Sequence, residues 1–200
     1  MQYDQFREFR IGKSNQPEKG DDSSVSPPTT PQEQLEDSIE KINKYLNKEL
    51  LREIKNCSLS FFEKTVVDLF VKMGYGGSRK EAGEVLGKPG DEGIDGIIKE
   101  DKLGMDTIYI QAKRWEGVVG RPEIQKFVGA LHGQRAKKGI FITTASFTKD
   151  TLEYVKNIDP KVILIDSENL AHLMIEFNVG VSVAQTLEIK WIDSDYFHEE

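Results

Sequence analysis

Residues 90–96 of the chain read Gly-Asp-Glu-Gly-Ile-Asp-Gly, and sixteen residues after Asp95 comes the triplet Gln111-Ala112-Lys113. Successive side chains point to opposite faces of a β-strand. The glutamine and lysine of the triplet therefore share one face, while the alanine between them points into the core. These two stretches decide both the fold and the candidate chemistry.

The same region has the residue pattern of a β-hairpin. Two apolar, β-branched segments, Ile94–Lys99 and Thr107–Lys113, are joined by a turn through Asp101 and Gly104. Antiparallel pairing of these segments would place Asp95 beside the face that carries the glutamine and lysine. A carboxylate, an amide oxygen and an ammonium group would then converge where neighbouring glycines leave space.

This combination of groups suits phosphodiester hydrolysis. The reaction needs oxygen ligands for a hard cation, and a lysine that orients water or stabilises developing negative charge. The backbone carbonyl of Ala112 is a further candidate ligand. Asp91 is a rival acid, but four residues of extended chain separate it from Asp95 by roughly 13 Å. We therefore interpret Asp91 as a loop residue or an outer partner of the site.

Helices and strands alternate along most of the chain. The periodicity of apolar residues predicts helices from Pro31 to about Lys55, Ser60 to Met73, Pro122 to about Ala136, Thr148 to Lys156, and a last one capped by Ser167 that reaches about Phe177. Further strands are predicted at Gly139–Thr143, Val162–Ile165 and, more weakly, Val179–Trp191. Gly74–Gly96 is a glycine-rich loop. Strands separated by helices indicate an α/β fold, whose mixed sheet is flanked by helices and opens with an antiparallel pair.

Four segments follow from this pattern. Residues 1–29 hold three prolines among polar residues, which is typical of a flexible linker and suggests the remnant of an upstream domain. Residues 30–57 form an extra amphipathic helix, which could pack on its own domain or on a second subunit. Residues 58–193 form the main domain, and residues 194–200 a C-terminal tail.

Charge and cysteine content restrict the function class. The net charge is −7, but Gln111–Ile140 holds seven basic and two acidic residues, a local charge of +5 that leaves −12 elsewhere. Phosphate binding depends on the local field, so nucleic acid remains a candidate partner. Cys57 is the only cysteine, so no internal disulfide can form. With no apolar stretch long enough for a membrane, we expect a cytoplasmic protein associated with the nucleoid.

Several short motifs in a fixed order resemble the PD-(D/E)xK nuclease superfamily, in the variant found in Mrr-like (type IV) restriction enzymes, where glutamine replaces the middle acid. They are Phe61-Phe62-Glu63, Met73-Gly74-Tyr75-Gly76-Gly77, Gly93-Ile94-Asp95-Gly96, Gln111-Ala112-Lys113-Arg114, Val119-Gly120-Arg121, Lys138-Gly139-Ile140-Phe141-Ile142-Thr143-Thr144 and Asn178-Val179-Gly180-Val181. The resemblance extends from about Ser58 to Val181.

The resemblance implies a restriction-endonuclease-like αβββαβ core that cuts double-stranded DNA with Mg²⁺, for which Mn²⁺ can substitute. It implies catalytic roles for Asp95, Gln111, Lys113 and Glu63, with the metal held by Asp95, Gln111, Glu63 and the Ala112 carbonyl. Phosphate contacts are expected from Arg114, Arg121 and Lys126. The family usually carries an upstream domain that selects modified DNA. Cutting both strands requires two sites, so we also expect a homodimer.

Simpler structural roles compete with these assignments. Asp95 could cap a glycine turn, and Ser60-x-x-Glu63 matches a helix capping box. The three basic residues could be ordinary surface charges. At the level of function, the alternatives are a non-catalytic DNA-binding or dimerisation module on the same fold, or a structure-specific or RNA-directed nuclease. The neutral Gln111 favours the non-catalytic module, whereas Asp95 and Lys113 together favour the enzyme.

Overall fold

The computed structural model describes residues 30–75, 93–100 and 105–198 of the chain. Residues 39–200 belong to one compact unit. The predicted turn at 101–104 and most of the predicted glycine-rich loop lie outside the described residues. Among the helices that the structure describes, none is long and apolar enough to cross a membrane.

Helix α1 runs from Pro31 to Asn56 and begins with the predicted capping box. The Thr30 N–H donates to a Glu33 carboxylate oxygen at 2.7 Å, and the Glu33 N–H donates to the Thr30 hydroxyl at 3.2 Å. These two bonds satisfy backbone donors that have no partner inside the helix. Leu50 and Ile54 are buried, so the second half of the amphipathic helix packs against the domain core.

Helix α2 spans Leu59–Lys72, and its N-terminal cap differs from the prediction. Ser58 has an extended backbone, and its hydroxyl accepts a hydrogen bond from the Phe61 N–H at 3.2 Å. Ser60 already lies within the helix, so the predicted cap at Ser60 is wrong. The chain folds into helix two residues earlier because Ser58 can cap equally well. Glu63 is therefore not the acid of a capping box.

The central sheet is mixed, as predicted. Strands β1 (Gly96–Lys99) and β2 (Thr107–Lys113) pair antiparallel. Strands β4 (Lys138–Thr143) and β6 (Lys161–Ile165) then follow in parallel, giving the order β1-β2-β4-β6. Parallel neighbours require helical crossovers, which the intervening helices supply.

Helix α3 (Arg121–Gly133) lies between β2 and β4 in the chain. Helix α4 (Lys149–Tyr154) and a 3-10 turn at Val155–Asn157 lie between β4 and β6. Helix α5 (Ser167–Glu176) follows β6 and is capped by Asp166, so the predicted cap at Ser167 is wrong by one residue. Asp166 accepts the Asn169 N–H at 2.9 Å, and a carboxylate suits the positive end of a helix.

Alternation along the strands divides the core into two clusters on opposite faces of the sheet. One face packs against α1, α2 and α5 through buried residues that include Phe62, Val66, Phe70, Ile110, Ile142, Leu170 and Met174. The other face packs against α3 through Ile124, Phe127, Leu131, Phe141 and Val162. The sheet is thus covered by helices on both faces.

Two details depart from the expected order of elements. The sequence α2-β1-β2-β3-α3-β4 reproduces the αβββαβ order, but β3 (Val118–Val119) lies outside the central sheet and pairs with β5 (Ser146–Phe147). The predicted β-structure at Val179–Trp191 is wrong, because this segment contains no strand and is followed by a 3-10 turn at Asp195–Phe197. β-propensity alone does not form a strand without a hydrogen-bonded neighbour.

Candidate active site

Asp95 lies at the end of β1, where its backbone and side chain both bind β2. Its N–H donates to the carbonyl of Ile110 at 2.8 Å, and its carboxylate accepts the N–H of Ala112 at 2.8 Å. The side chain thus extends the hydrogen-bond ladder between β1 and β2 by one bond. This bond holds the Asp95 carboxylate beside Ala112. The hairpin predicted from the sequence forms, and it brings Asp95 to the triplet.

The carboxyls of Asp95 and Glu63 occupy an environment that disfavours negative charge. Burial raises the pKa of Asp95, against the opposing effects of the Ala112 N–H and the Lys113 charge. Burial also raises the pKa of Glu63, and the negative charge of Asp95 adds to this shift. The predicted pair, one on α2 and one on β1, is therefore close enough to interact. A cation between two such carboxylates would relieve their repulsion.

Gln111 lies directly against the glycine turn that precedes Asp95. Gly93 has a φ of +97°, and a Cβ atom there would come within 2.9 Å of the Gln111 side-chain nitrogen. Glycine is needed at position 93 for both its backbone conformation and its small size. The amide is partly exposed and on the same strand as Ala112 and Lys113.

Lys113 is the last residue of β2, and two groups contact its ammonium. The Nζ atom forms an ion pair with Glu123 of α3 and lies 4.7 Å from the ring centroid of Trp115. Glu123 was not among the residues predicted for the site. Its signal in the sequence is weak, since an acid in the first turn of a helix is common. Only the packing of α3 on the sheet places it beside Lys113.

The three predicted phosphate-binding residues each have a partner within the protein. Arg114 donates to the carbonyl of Cys57 and, at 3.3 Å, to that of Lys55, at the C-terminal end of α1. Arg121 lies 3.5 Å from Asp150 and 4.5 Å from the Tyr154 ring, as a guanidinium stacked on an aromatic face.

Lys126 binds Glu123 at 2.7 Å, and 73% of its side chain is exposed. The three side chains also lie in different places, because Arg114 binds the C-terminal end of α1 whereas Arg121 and Lys126 lie on α3. The three basic residues thus make separate contacts within the protein.

The oxygen groups at the strand ends fit a hard divalent cation. Glu63 and Asp95 offer carboxylates, Gln111 an amide oxygen, and Ala112 a backbone carbonyl, the ligand types that Mg²⁺ accepts. Within residues 30–75, 93–100 and 105–198, no group of three or more His, Cys, Asp or Glu side chains is arranged to hold a metal. A cation here would depend on two carboxylates supplemented by neutral oxygens.

Comparison with known proteins identifies the family. Residues 54–174 match the sequence profile of the Mrr catalytic domain, described as a restriction endonuclease. Every predicted site residue falls within this range.

A curated relative is the type IV methyl-directed restriction enzyme EcoKMrr of Escherichia coli (strain K12), 43% identical over 169 residues. The alignment covers 84% of this chain but only 55% of that protein, so the chain spans about half the length of its relative.

Two solved structures show a weaker likeness. The DNA modification-dependent restriction endonuclease AspBHI has a TM-score of 0.49 and 15% identity, over 81% of this chain and 41% of that one. The MspJI restriction endonuclease, solved with a 27-mer oligonucleotide, has a TM-score of 0.40 and 20% identity, over 80% and 36%. On the match of the family profile and the identity to EcoKMrr, the chain belongs to the Mrr catalytic family of restriction endonucleases.

Proposed function

We propose that this domain hydrolyses phosphodiester bonds in double-stranded DNA with a divalent cation, as the catalytic part of a modification-dependent restriction enzyme. The observation that supports it most is the meeting of Asp95, Glu63 and the Gln111-Ala112-Lys113 triplet at one end of the β1–β2 hairpin. Family membership supports the same conclusion. In the cell, we propose that it acts in the cytoplasm on nucleoid DNA.

Each residue has a definable role in this proposal. Asp95 and Glu63 would hold the cation, with the oxygens of Gln111 and the Ala112 carbonyl completing the protein ligands. A bound Mg²⁺ or Mn²⁺ would supply Lewis acidity toward the scissile phosphate. Lys113 would place its ammonium where negative charge develops during hydrolysis. The hydrogen bond from Ala112 to Asp95 orients the carboxylate, as partners of metal ligands commonly do.

DNA binding would draw on the basic residues around the site. Arg121 and Lys126 lie on α3 with 44% and 73% of their side chains exposed, so both can turn from their acidic partners toward phosphates. Because exposed ion pairs contribute little stability, exchanging them for phosphate contacts costs little free energy. Arg114 is also a proposed contact, although its guanidinium supports α1.

The proposed assembly is a homodimer, because cutting both strands requires two sites. EcoKMrr is described as methyl-directed, and only part of that protein corresponds to this chain. We propose that selection of modified DNA belongs to a separate upstream recognition domain. This chain should therefore bind DNA weakly, with strong salt dependence because phosphate contacts release counterions. It should show little preference between modified and unmodified duplexes, because phosphate contacts carry no sequence information. Gel shifts with methylated and unmethylated duplexes of one sequence would test this, and a clear preference for the methylated duplex would refute it.

A plasmid-cleavage assay tests the enzymatic proposal. Asp95→Ala and Lys113→Ala should each abolish Mg²⁺-dependent cleavage while DNA binding stays within a few-fold of wild type. Lys99→Ala is a matched control, because this exposed lysine lies at the opposite end of β1. It should cut at the wild-type rate. EDTA should stop cleavage in every case. If either site variant cuts like the control, the assignment is wrong.

The non-catalytic module remains a second candidate, favoured by the neutral Gln111 and by the small number of carboxylates at the site. Such a module would bind DNA and leave plasmid uncut with Mg²⁺ or Mn²⁺ at any concentration. Cleavage of RNA or of branched DNA in preference to linear duplex would instead indicate an RNA-directed or structure-specific nuclease. A panel of the three substrates separates these functions.

A further inference from the structure

Glu123 connects two lysines of very different exposure. One carboxylate oxygen pairs with the Lys113 ammonium, and the other lies 2.7 Å from the Lys126 ammonium. The side chain of Glu123 is 17% exposed and that of Lys113 is 30% exposed, whereas Lys126 is 73% exposed. The pair with Lys113 is therefore the sheltered one, where charge interactions are less screened by solvent.

The position of Glu123 is determined by packing between α3 and the sheet. Glu123, Phe127 and Leu131 follow one another at four-residue spacing and so share one face of α3. Phe127 and Leu131 are buried against Gly139 of β4, and β4 pairs directly with β2. The same contacts that fill the core therefore carry Glu123 to the end of β2.

Lys113 needs such a partner because its side chain is long and flexible. A lysine side chain has four methylene groups and many rotamers, and fixing it in one conformation costs conformational entropy. The Trp115 ring restrains the ammonium from one side. Gln111, two residues earlier on the same strand face, is uncharged and supplies no counter-ion. The hydrogen bond from Lys113 lowers the pKa of Glu123, which therefore stays ionised at neutral pH.

We propose that Glu123 is a positioning residue for the reaction, holding the Lys113 ammonium at the strand end where the scissile phosphate would lie. This rests on the proposed nuclease function. Glu123 acts through Lys113. Because Gln111 on β2 is neutral, the negative charge beside Lys113 comes from Glu123 on α3. Lys126 binds the outer oxygen of the same carboxylate and is dispensable for this role.

Single-turnover cleavage at saturating DNA and metal tests the proposal. Glu123→Ala should lower the rate by about 10- to 100-fold, because small displacements of a catalytic group have effects of this size. Its DNA affinity should not fall, because all three proposed phosphate-binding residues are retained. Glu123→Gln keeps the shape and one acceptor, so its rate should lie between wild type and Glu123→Ala. Glu168→Ala is the matched control, because it also removes an acid from the first turn of a helix, at an exposed position on α5. It should cleave within about twofold of wild type.

The double variant Lys113→Ala/Glu123→Ala connects the two residues. At enzyme concentrations high enough to measure a residual rate for Lys113→Ala, the double variant should be no slower, because residues that act through one another have non-additive effects. Thermal melting checks that the variants are folded. Should Glu123→Ala misfold, the rate of Glu123→Gln relative to Glu168→Ala decides the question.

The outcomes separate this inference from the proposed function. If Lys113→Ala cleaves normally, the proposed active site is wrong. If Lys113→Ala is inactive but Glu123→Ala and Glu123→Gln cleave like wild type, only the positioning role is refuted. Equal losses in Glu168→Ala and Glu123→Ala would also refute it, because they would indicate a general effect of removing an acid from a helix.

Discussion

Gly139→Ala is predicted to destabilise the domain by forcing α3 away from the sheet. A Cβ atom at Gly139 would lie 2.7 Å from Leu131 Cδ1 and 2.9 Å from two ring carbons of Phe127. Contacts below 3.0 Å essentially never occur at real Cβ atoms, so something must shift. Both contacting side chains are almost fully buried, at 0% and 1% exposure, and have little room to move.

The magnitude follows from the cost of overpacking a dense core. One extra carbon in such a site costs about 1–3 kcal/mol of unfolding free energy. For a domain of this size, each kcal/mol lowers Tm by about 2–4 °C, so the expected loss is roughly 2–12 °C. Movement of α3 would also displace Glu123, and single-turnover cleavage should fall even at temperatures far below Tm.

Gly129→Ala on the same helix is the matched control. A Cβ atom at Gly129 would meet nothing within 4 Å, and glycine is a poor helix former. This variant should gain about 0.5–1 kcal/mol, a rise in Tm of roughly 1–4 °C. Scanning calorimetry of both variants, with cleavage measured at 25 °C, checks the opposite signs. A Gly139→Ala protein as stable as Gly129→Ala would refute the close packing of α3 on β4.

Three further predictions concern individual site residues. Burial raises the pKa of Asp95, so the stability of the metal-free protein falls as pH rises through that pKa. In EDTA, Asp95→Asn should therefore melt above wild type near pH 8 and match it below about pH 4, and a lower Tm at pH 8 would contradict this. Gln111→Glu adds a charge to the proposed ligand set, so Mg²⁺ and Mn²⁺ titrations should show tighter binding; unchanged metal affinity and metal dependence would place Gln111 outside the ligand set. Arg114→Ala removes both the donors to the end of α1 and a proposed phosphate contact, so Tm and DNA affinity should both fall; an unchanged Tm would show that the hydrogen bonds to the Lys55 and Cys57 carbonyls do not stabilise the protein.

For the charged residues, the sequence shows where the charges are, but their partners depend on the fold. The excess of positive charge between Gln111 and Ile140 is visible in the sequence, but the sequence does not assign partners to these charges. Arg114 binds carbonyls at the end of α1, whereas Arg121 and Lys126 bind acids on helices. The contacts of Arg114 and Arg121 join residues distant in the chain and depend on how layers pack, whereas Lys126 and Glu123 lie three residues apart on α3.

The sequence by itself determined the elements whose signals are local. The Thr30 capping box, the two strands of the hairpin and the alternation in the Gln111-Ala112-Lys113 triplet depend on neighbouring residues, and the structure reproduces them. Where two local signals compete, the sequence is ambiguous, as with the serines at positions 58 and 60. Of these, Ser58 caps α2.

Only the tertiary structure decided which distant residues meet. Glu123 reaches Lys113 because Gly139 permits a close approach between α3 and β4, and no local pattern encodes that distance. Glu63 interacts with Asp95 because α2 packs on the sheet beside β1. The segment Val179–Trp191 has the residue types of a strand but forms none, because a strand needs a hydrogen-bonding neighbour that folding must provide.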